Sequence, residues 1–172
     1  MIVADSSVLI VLSKIGSLRL LQQLHNNVMI VPAVKEEVVD GGREIGAPDI
    51  AYVEAAIAEQ WIVVADLDIE EVRLARRLMD TTRLHQGEAE SLVVANSREM
   101  TLLVDDKEAR TVARAMNVRF TGTIGLILEA YSDGYMEYNE FEQSVRELSA
   151  IMWLSPDVIV NILTRIGEVR GE

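Results

Sequence analysis

Residues 101–106 read Thr-Leu-Leu-Val-Asp-Asp, a short apolar run that ends in two carboxylates. An apolar run of this length predicts a buried strand. The pattern of residues 107–116 then predicts a helix, so the segment has the form strand, acidic turn, helix. In open α/β sheets, ligands bind beyond the carboxyl ends of the strands. An acidic residue at that point is therefore a candidate functional residue.

The alternation of strand and helix recurs along the chain. Further strands are predicted at 2–4, 28–31, 61–64 and 118–120, and further helices at 8–13, 17–24, 32–41, 50–59, 69–79, 87–98 and 123–131. Ser6 and Ser7 are expected to cap the first helix, and residues 43–48 to form a loop. This order predicts the α/β class, a three-layer α/β/α fold with a central parallel sheet.

The length of 172 residues and an apolar content of 49% predict one globular domain over 1–172. Its core is expected over 1–132, followed by a C-terminal helical extension over 133–172. That extension carries predicted helices at 138–150 and 157–166, with Met152 and Trp153 between them as core or interface residues. The apolar faces of these helices need a partner, which is either the main domain or the partner of a dimer.

The residue types present restrict the chemistry of any metal site. The chain has no cysteine, and its only histidines are His25 and His85. Disulfides, thiol nucleophiles and thiolate zinc sites are therefore excluded. A metal ion would have to be held by oxygen ligands, which suit Mg²⁺ and Mn²⁺.

The net charge of −12 argues against a protein that passively coats nucleic acid, because phosphate binding draws on lysine and arginine. It does not argue against a nuclease whose own carboxylates hold cations. No apolar run is long enough to span a membrane, and no basic region precedes the first apolar stretch, so a cytoplasmic location without membrane association is expected.

Acidic residues from distant segments are expected to meet at one edge of the sheet. Asp5 and the doublet Asp105-Asp106 directly follow strands, whereas Glu37 and Glu88 lie near the starts of helices. Each alone could be a cap, turn or surface residue, since acids are favoured in the first turn of helices. Together they would repel one another unless a divalent ion held them. Such an ion can activate a water for phosphodiester hydrolysis.

Several stretches resemble the PIN-domain family, and within it the VapC-like toxin ribonucleases and their prokaryotic relatives. They are residues 2–10 (IVADSSVLI), 32–38 (PAVKEEV), 87–95 (GEAESLVVA), 102–110 (LLVDDKEAR) and 121–125 (TGTIG). The resemblance covers roughly residues 1–132, and the C-terminal helices more loosely. It implies a PIN-like fold.

By this resemblance, Asp5, Glu37, Glu88 and Asp105 are the catalytic, metal-binding acids, with Asp106 as the competing register for the last. Glu37 is preferred to Glu36, and Glu88 to Glu90, from their places in the family's motifs. Glu88 departs from the Asp found in many members.

Cationic and hydroxyl side chains near the acids are candidates for binding the substrate phosphate. Ser7, Lys107 and Arg110 are proposed for this role, although Arg110 could instead pair with nearby acids. Thr123 could supply a hydroxyl at the cleft or cap a helix, and His85 is expected to be a loop residue. The cluster Arg73, Arg76 and Arg77 is expected to be a solvated helix face or a partner contact.

The sequence therefore predicts a Mg²⁺- or Mn²⁺-dependent endoribonuclease. The resemblance further implies RNA as substrate, the toxin role in a toxin–antitoxin pair, a small antitoxin protein as partner and a homodimer. The alternatives are a non-catalytic PIN-like scaffold in an assembly and, less favoured, a receiver-like domain phosphorylated on Asp5 or Asp105.

Overall fold

The computed structural model describes residues 1–47, 50–152, 154, 162, 164 and 166. It divides the chain into two compact units, Met1–Thr123 and Ile124–Glu172. The sequence-based division into a core and a C-terminal extension stays a prediction. Most of the predicted helix over 157–166, and Trp153 before it, lie outside the described residues.

The first unit contains a five-stranded parallel sheet. Its strands are β1 (Ile2–Ala4), β2 (Val28–Ile30), β3 (Ile62–Val64), β4 (Thr101–Leu103) and β5 (Phe120–Thr121). They lie in the order β3-β2-β1-β4-β5, so β1 is central and pairs with both β2 and β4. The sheet therefore grows in opposite directions from β1 and β4, which makes their shared edge the topological switch point.

Helices connect the strands, and the last two helices follow β5. They are α1 (Ser6–Lys14), α2 (Arg19–His25), α3 (Pro32–Lys35), α4 (Gly42–Ile45), α5 (Ile50–Ala58), α6 (Ile69–Thr81), α7 (Gln86–Ser97), α8 (Lys107–Ala115), α9 (Thr123–Ser132) and α10 (Tyr138–Ile151). Helix α1 packs against α5, whereas α7 packs against α6 and α8. Right-handed crossovers put these two groups on opposite faces of the sheet. The predicted three-layer α/β/α fold with a parallel sheet is confirmed.

The core of the first unit lies where these layers meet the central strands. Val3, Leu9, Leu92 and Leu103 are fully buried. Val3 lies beside Leu102 of β4 and Met29 of β2 in the parallel register. Because β1 is covered on both sides, it consists of consecutive apolar residues, as is typical of a central parallel strand.

The structure differs from the sequence-based expectation at the helix that follows β2. The helix was expected to end near Gly41, but it continues as a π-helical turn over Glu36–Gly41 and then as α4. It ends only at Gly46, which has a left-handed backbone with φ of 66°. The predicted loop over 43–48 is therefore wrong for its first residues.

Two smaller expectations are also corrected. Asp5, not Ser6 or Ser7, caps α1, because its carboxylate accepts the Ser7 N–H. Strand β5 begins at Phe120 and not at Val118. The Val118 N–H instead bonds to the Ala113 carbonyl at the end of α8, so this residue still completes the helix.

The second unit contains helix α10 and most of α9. The ring of Tyr131 on α9 lies 4.8 Å from that of Phe141 and 6.3 Å from that of Tyr138, both on α10. These aromatic contacts join the two helices.

Across the described part of the chain, no single helix is long and apolar enough to cross a membrane. Helices α1 and α2 meet the criterion of length and composition only as a pair, and they are bent by 118° relative to each other.

Candidate functional site

The candidate site lies at the carboxyl ends of β1 and β4, the topological switch point of the sheet. Asp5 follows β1 directly, and its backbone N–H bonds to the Leu103 carbonyl at 3.0 Å. The doublet Asp105-Asp106 leaves the neighbouring strand β4. Adjacent parallel strands thus bring acids that are a hundred residues apart in sequence to one edge, where a crevice forms between helices that leave in opposite directions.

Asp5 is the most deeply buried acid of the site. It is 2% exposed. Its Oδ2 accepts the Ser7 hydroxyl at 2.9 Å, whereas its Oδ1 has no hydrogen-bond partner among the described residues. Burial raises the pKa of Asp5 above its usual range, and the negative charge of Glu37 adds to this shift. A buried carboxylate oxygen without a hydrogen-bond partner destabilises the folded protein. Asp5 therefore needs a further group, such as a proton or a cation, to compensate its charge.

Glu37 lies on the π-helical turn. Its Oε2 accepts the Ser6 hydroxyl at 2.7 Å, which ties this turn to the start of α1. The Cα of Gly87 also lies close, because a Cβ at that position would be 3.5 Å from the same oxygen. π-Helical turns occur often at functional sites. Sequence reasoning found Glu37 but missed both the π-helical turn and the role of Ser6.

Glu88 lies in the first turn of α7. Its Oε2 accepts the His85 N–H at 2.8 Å, so the carboxylate forms one half of a capping box. Burial raises the pKa of Glu88, and the charges of Asp106 and Asp5 raise it further. Glu88 therefore lies within electrostatic reach of an acid from each of the two central strands.

The two members of the doublet have different surroundings. Asp106 caps α8, with its Oδ1 accepting the Ala109 N–H at 2.8 Å. Asp105 points to other groups: its Oδ1 accepts from Arg110 Nη2 and from the Thr123 N–H, both at 3.0 Å. Its Oδ2 accepts the Thr123 hydroxyl at 2.5 Å. The structure thus brings Asp106 toward Glu88 and holds Asp105 within its own hydrogen-bonding group.

The three residues expected to bind substrate phosphate are placed differently from one another. Lys107 is exposed at the start of α8, next to Asp106. Ser7 donates to Asp5 and accepts the Asp105 N–H at 3.4 Å, so its hydroxyl lies between the two strands. Arg110 pairs with a nearby acid, which was the alternative considered from the sequence: it forms an ion pair with Asp105 and donates from Nε to the Val104 carbonyl at 2.8 Å.

The two acids that sequence reasoning set aside have other places. Glu90 is buried and accepts the Ala33 N–H at 3.2 Å and the Gln86 side-chain amide at 2.7 Å. It therefore joins α7 to the start of α3. Glu36 is exposed and lines an open cleft of about 470 Å³ together with Ala33, Glu37, His85, Gln86 and Gly87. His85 is the N-cap residue of α7 and is exposed at this cleft.

The acids are near one another but are not assembled into a finished cation site. In the described ranges, no group of three or more acidic or histidine side chains is arranged to hold a metal ion. The donor types fit a hard cation nevertheless, since Oδ1 of Asp5 accepts no hydrogen bond from the part of the chain that the structure describes, and the neighbouring groups are carboxylates. Asp5, Glu37, Glu88 and Asp106 are the residues that could hold it.

The basic cluster on α6 lies on an exposed helix face. Arg73 pairs with Glu70 at 2.7 Å, and Arg76 and Arg77 are exposed beside it. They line an open surface groove with Ile69 and Val72, not the cleft that contains Glu37. These arginines therefore line a different surface from the candidate site acids.

A protein-family model described as a PIN domain matches residues 1–168. No curated protein matches the chain.

Proposed function

Because the chain belongs to the PIN-domain family, whose members are generally metal-dependent nucleases, we propose that it is an endoribonuclease that uses Mg²⁺ or Mn²⁺. The observation that carries the proposal is the state of Asp5. Its buried carboxylate has one oxygen without a hydrogen-bond partner in the described residues and lies within the electrostatic influence of Glu37 and Glu88. A divalent cation is the group that satisfies all three carboxylates together.

The chain's own residues would divide the work as follows. The cation would be held by Asp5, Glu37, Glu88 and Asp106, and Ser7 keeps the Asp5 carboxylate oriented through its hydroxyl. Lys107, exposed beside Asp106, binds a phosphate of the RNA next to the bond that is cut. A bound divalent ion lowers the pKa of water and stabilises negative charge on the phosphodiester.

The raised pKa values of Asp5 and Glu88 are consistent with this division of work. Both groups are destabilised in the charged form by burial and by their acidic neighbours. A cation at the site would reverse that balance, because it would favour the charged carboxylates. Cation binding would therefore be linked to the release of any protons that these acids hold.

The test is cleavage of a long labelled RNA by the purified protein in Mn²⁺, in Mg²⁺ and in EDTA. We expect cleavage in both metals and none in EDTA. Asp5→Asn removes one charge with little change in size and should abolish cleavage, whereas the matched control Asp80→Asn, at an exposed position on α6, should not. Cleavage that persists in EDTA, or in Asp5→Asn, would contradict the proposal. No cleavage under any condition would favour the non-catalytic scaffold.

The biological setting is a further part of the proposal. The resemblance to VapC-like proteins supports a role as the toxin of a toxin–antitoxin pair, with a small antitoxin protein that inhibits it and a homodimer as the active form. A reading frame for a small DNA-binding protein beside the gene, whose product forms a complex with this chain and stops RNA cleavage, is the expected finding. A cytoplasmic location stays a prediction of the sequence.

A further inference from the structure

Three residues form a hydrogen-bonding group at the end of β4 and pack against a glycine. We call this set the Asp105 clasp: Asp105, Arg110, Thr123 and the neighbouring Gly122. The Asp105 side chain is 9% exposed. Its Oδ1 accepts from Arg110 Nη2 and the Thr123 N–H, and its Oδ2 accepts the Thr123 hydroxyl. Arg110 also donates from Nε to the Val104 carbonyl. The Arg110 guanidinium thus bonds to both Val104 and Asp105, the last residue of the apolar run and the first acid of the doublet.

Gly122 shows how closely the clasp is packed. A Cβ at this position would lie 1.9 Å from Arg110 Nη2 and 2.4 Å from Asp105 Oδ1. No side chain fits at that distance, so the ion pair lies directly against the backbone that links β5 to Thr123. The clasp therefore requires glycine at 122 for reasons of space, and it joins the ends of β4 and β5 through side chains in addition to the sheet hydrogen bonds.

The clasp leaves Asp105 poorly suited to bind a cation. Both of its oxygens accept hydrogen bonds, and its charge is balanced by Arg110. A metal ion would have to compete with a guanidinium for the same oxygens. Asp106 differs, because its Oδ1 accepts one backbone N–H and the described structure shows no cation paired with its carboxylate.

The clasp is also connected to Asp5. The Asp105 N–H donates to Ser7 Oγ at 3.4 Å, and the Ser7 hydroxyl donates to Asp5 Oδ2 at 2.9 Å. Through Ser7, two hydrogen bonds thus connect the end of β4 to Asp5, the acid that follows β1. When residues that hydrogen-bond to metal ligands without touching the metal are replaced, metal affinity commonly falls strongly.

We propose that Asp105 is a positioning residue and that its clasp with Arg110 and Thr123 orients Asp106 and Asp5 for cation binding. The inference rests on the proposed metal-dependent function and adds a division of roles within the doublet: Asp106 binds the cation, and Asp105 holds the end of β4 in place.

The experiment measures Mn²⁺ binding to the full chain by titration calorimetry, without RNA, alongside thermal unfolding of each variant. Thr123→Val removes the hydroxyl at nearly constant size, and Thr123→Ser restores it. We expect Thr123→Val to weaken Mn²⁺ binding by roughly tenfold, the lower end of the effect of such supporting residues, and Thr123→Ser to bind nearly as wild type does. Asp106→Asn keeps a good helix N-cap and should lose more affinity than Thr123→Val.

The register is tested by Asp105→Asn. We expect this variant to unfold at a lower temperature, because Arg110 loses its ionic partner, yet to retain more Mn²⁺ affinity than Asp106→Asn. A greater loss in Asp105→Asn than in Asp106→Asn, with both folded, would overturn the inference, as would wild-type affinity in Thr123→Val. If Asp5→Asn weakens binding while those results hold, the proposed function stands without the clasp. A wild-type protein that binds no Mn²⁺ would overturn both.

Discussion

The Ser6 hydroxyl donates a 2.7 Å hydrogen bond to Glu37 Oε2, across 31 positions of sequence. This contact fixes an exposed acid of the π-helical turn to a buried residue at the start of α1. It is the direct link between the element after β2 and the edge at which β1 and β4 end. The placement of Glu37 in the candidate site therefore depends on Ser6.

Replacing Ser6 by Ala is expected to lower Mn²⁺ affinity several-fold, because Glu37 loses the hydroxyl that orients it. The free energy of unfolding should fall by about 0.5–1 kcal/mol, the usual net value of one hydrogen bond. Calorimetry and chemical denaturation measure the two effects. Ser149→Ala is the matched control, since the Ser149 hydroxyl donates to the Val145 carbonyl within α10 at an exposed position. Unchanged Mn²⁺ affinity in Ser6→Ala would contradict the expectation.

Asp5→Asn is expected to stabilise the metal-free protein while removing its activity. The substitution takes away a buried negative charge whose Oδ1 has no partner in the described residues. We expect a gain of about 1 kcal/mol, equivalent to a midpoint roughly 2–4 °C higher. Thermal unfolding in EDTA measures it. In saturating Mn²⁺ the order should reverse, because only the wild type gains free energy from the ion. If the metal-free variant is less stable than the wild type, the buried Asp5 carboxylate does not destabilise the metal-free protein, contrary to the prediction.

Mn²⁺ affinity is expected to fall as the pH is lowered, starting above the ordinary range of carboxyl groups. The pKa values of Asp5 and Glu88 are both raised, so protons compete with the ion at a higher pH than they would for exposed acids. Below the raised pKa values the neutral acids bind poorly; above them the charged acids bind well. Titrations of Mn²⁺ from roughly pH 4, the ordinary pKa of exposed carboxyl groups, up to neutral pH test this. Glu88→Gln should make the decline shallower.

Glu71 is expected to contribute to stability through its pairing with Arg98. Glu71 is 4% exposed. Its carboxylate accepts from Ser97 and Arg98, contacts that join α6 to the end of α7, and from the Asp68 N–H in the cap of α6 itself. Glu71→Gln should lower the free energy of unfolding at pH 7 by about 2 kcal/mol. The matched change Glu70→Gln, which breaks an exposed pair with Arg73, should cost less than about 0.5 kcal/mol.

The same pair predicts the direction of a pH effect. The Arg98 guanidinium lowers the pKa of Glu71 to about 2, below the unfolded value of roughly 4.3. Its stabilisation is therefore complete above the unfolded pKa and is lost as the pH falls toward 2. Denaturation curves at pH 7, 4 and 3, chosen to span roughly that interval, should show the wild type losing its advantage over Glu71→Gln. A constant difference across this range would be the contrary result.

Lys107→Ala is expected to raise KM for RNA several-fold while leaving Mn²⁺ affinity unchanged, because Lys107 is exposed beside Asp106 and is not an acid of the site. The control is Lys14→Ala, at the exposed far end of α1. Cleavage rates at several RNA concentrations measure the effect. A loss of kcat at unchanged KM would assign Lys107 a role in the chemical step and not in binding.

Part of the candidate site could be located from the strand pattern alone. Asp5 and the doublet come straight after apolar strands, and a parallel sheet places all such ends at one edge. What the sequence left open was which member of the doublet turns inward. That choice depends on Arg110 and Thr123, and the latter comes from a distant segment whose approach no local pattern encodes.

The π-helical turn was missed for a similar reason. Gly41 and Gly42 usually mark the end of a helix, and here they do not. A Cβ on Gly42 would lie 2.7 Å from the Ile50 side chain, so this glycine permits close packing against α5. The glycine at position 42 is therefore explained by a tertiary contact and not by a helix end. At β5, similarly, apolar Val118 suggested a strand, but its N–H completes the end of α8.

If the acids at the switch point bind a cation as proposed, their crowding has a consequence for the order in which ligands bind. Without a cation, Asp5, Glu37, Glu88 and Asp106 present like charges to a polyanion in a chain whose net charge is −12. Under the proposed function, RNA approaching such a cleft would be repelled until a divalent ion reversed the local potential. We therefore expect a compulsory order of binding, in which the metal would add first and RNA second. The free metal concentration would then govern the association rate of RNA as well as the chemical step.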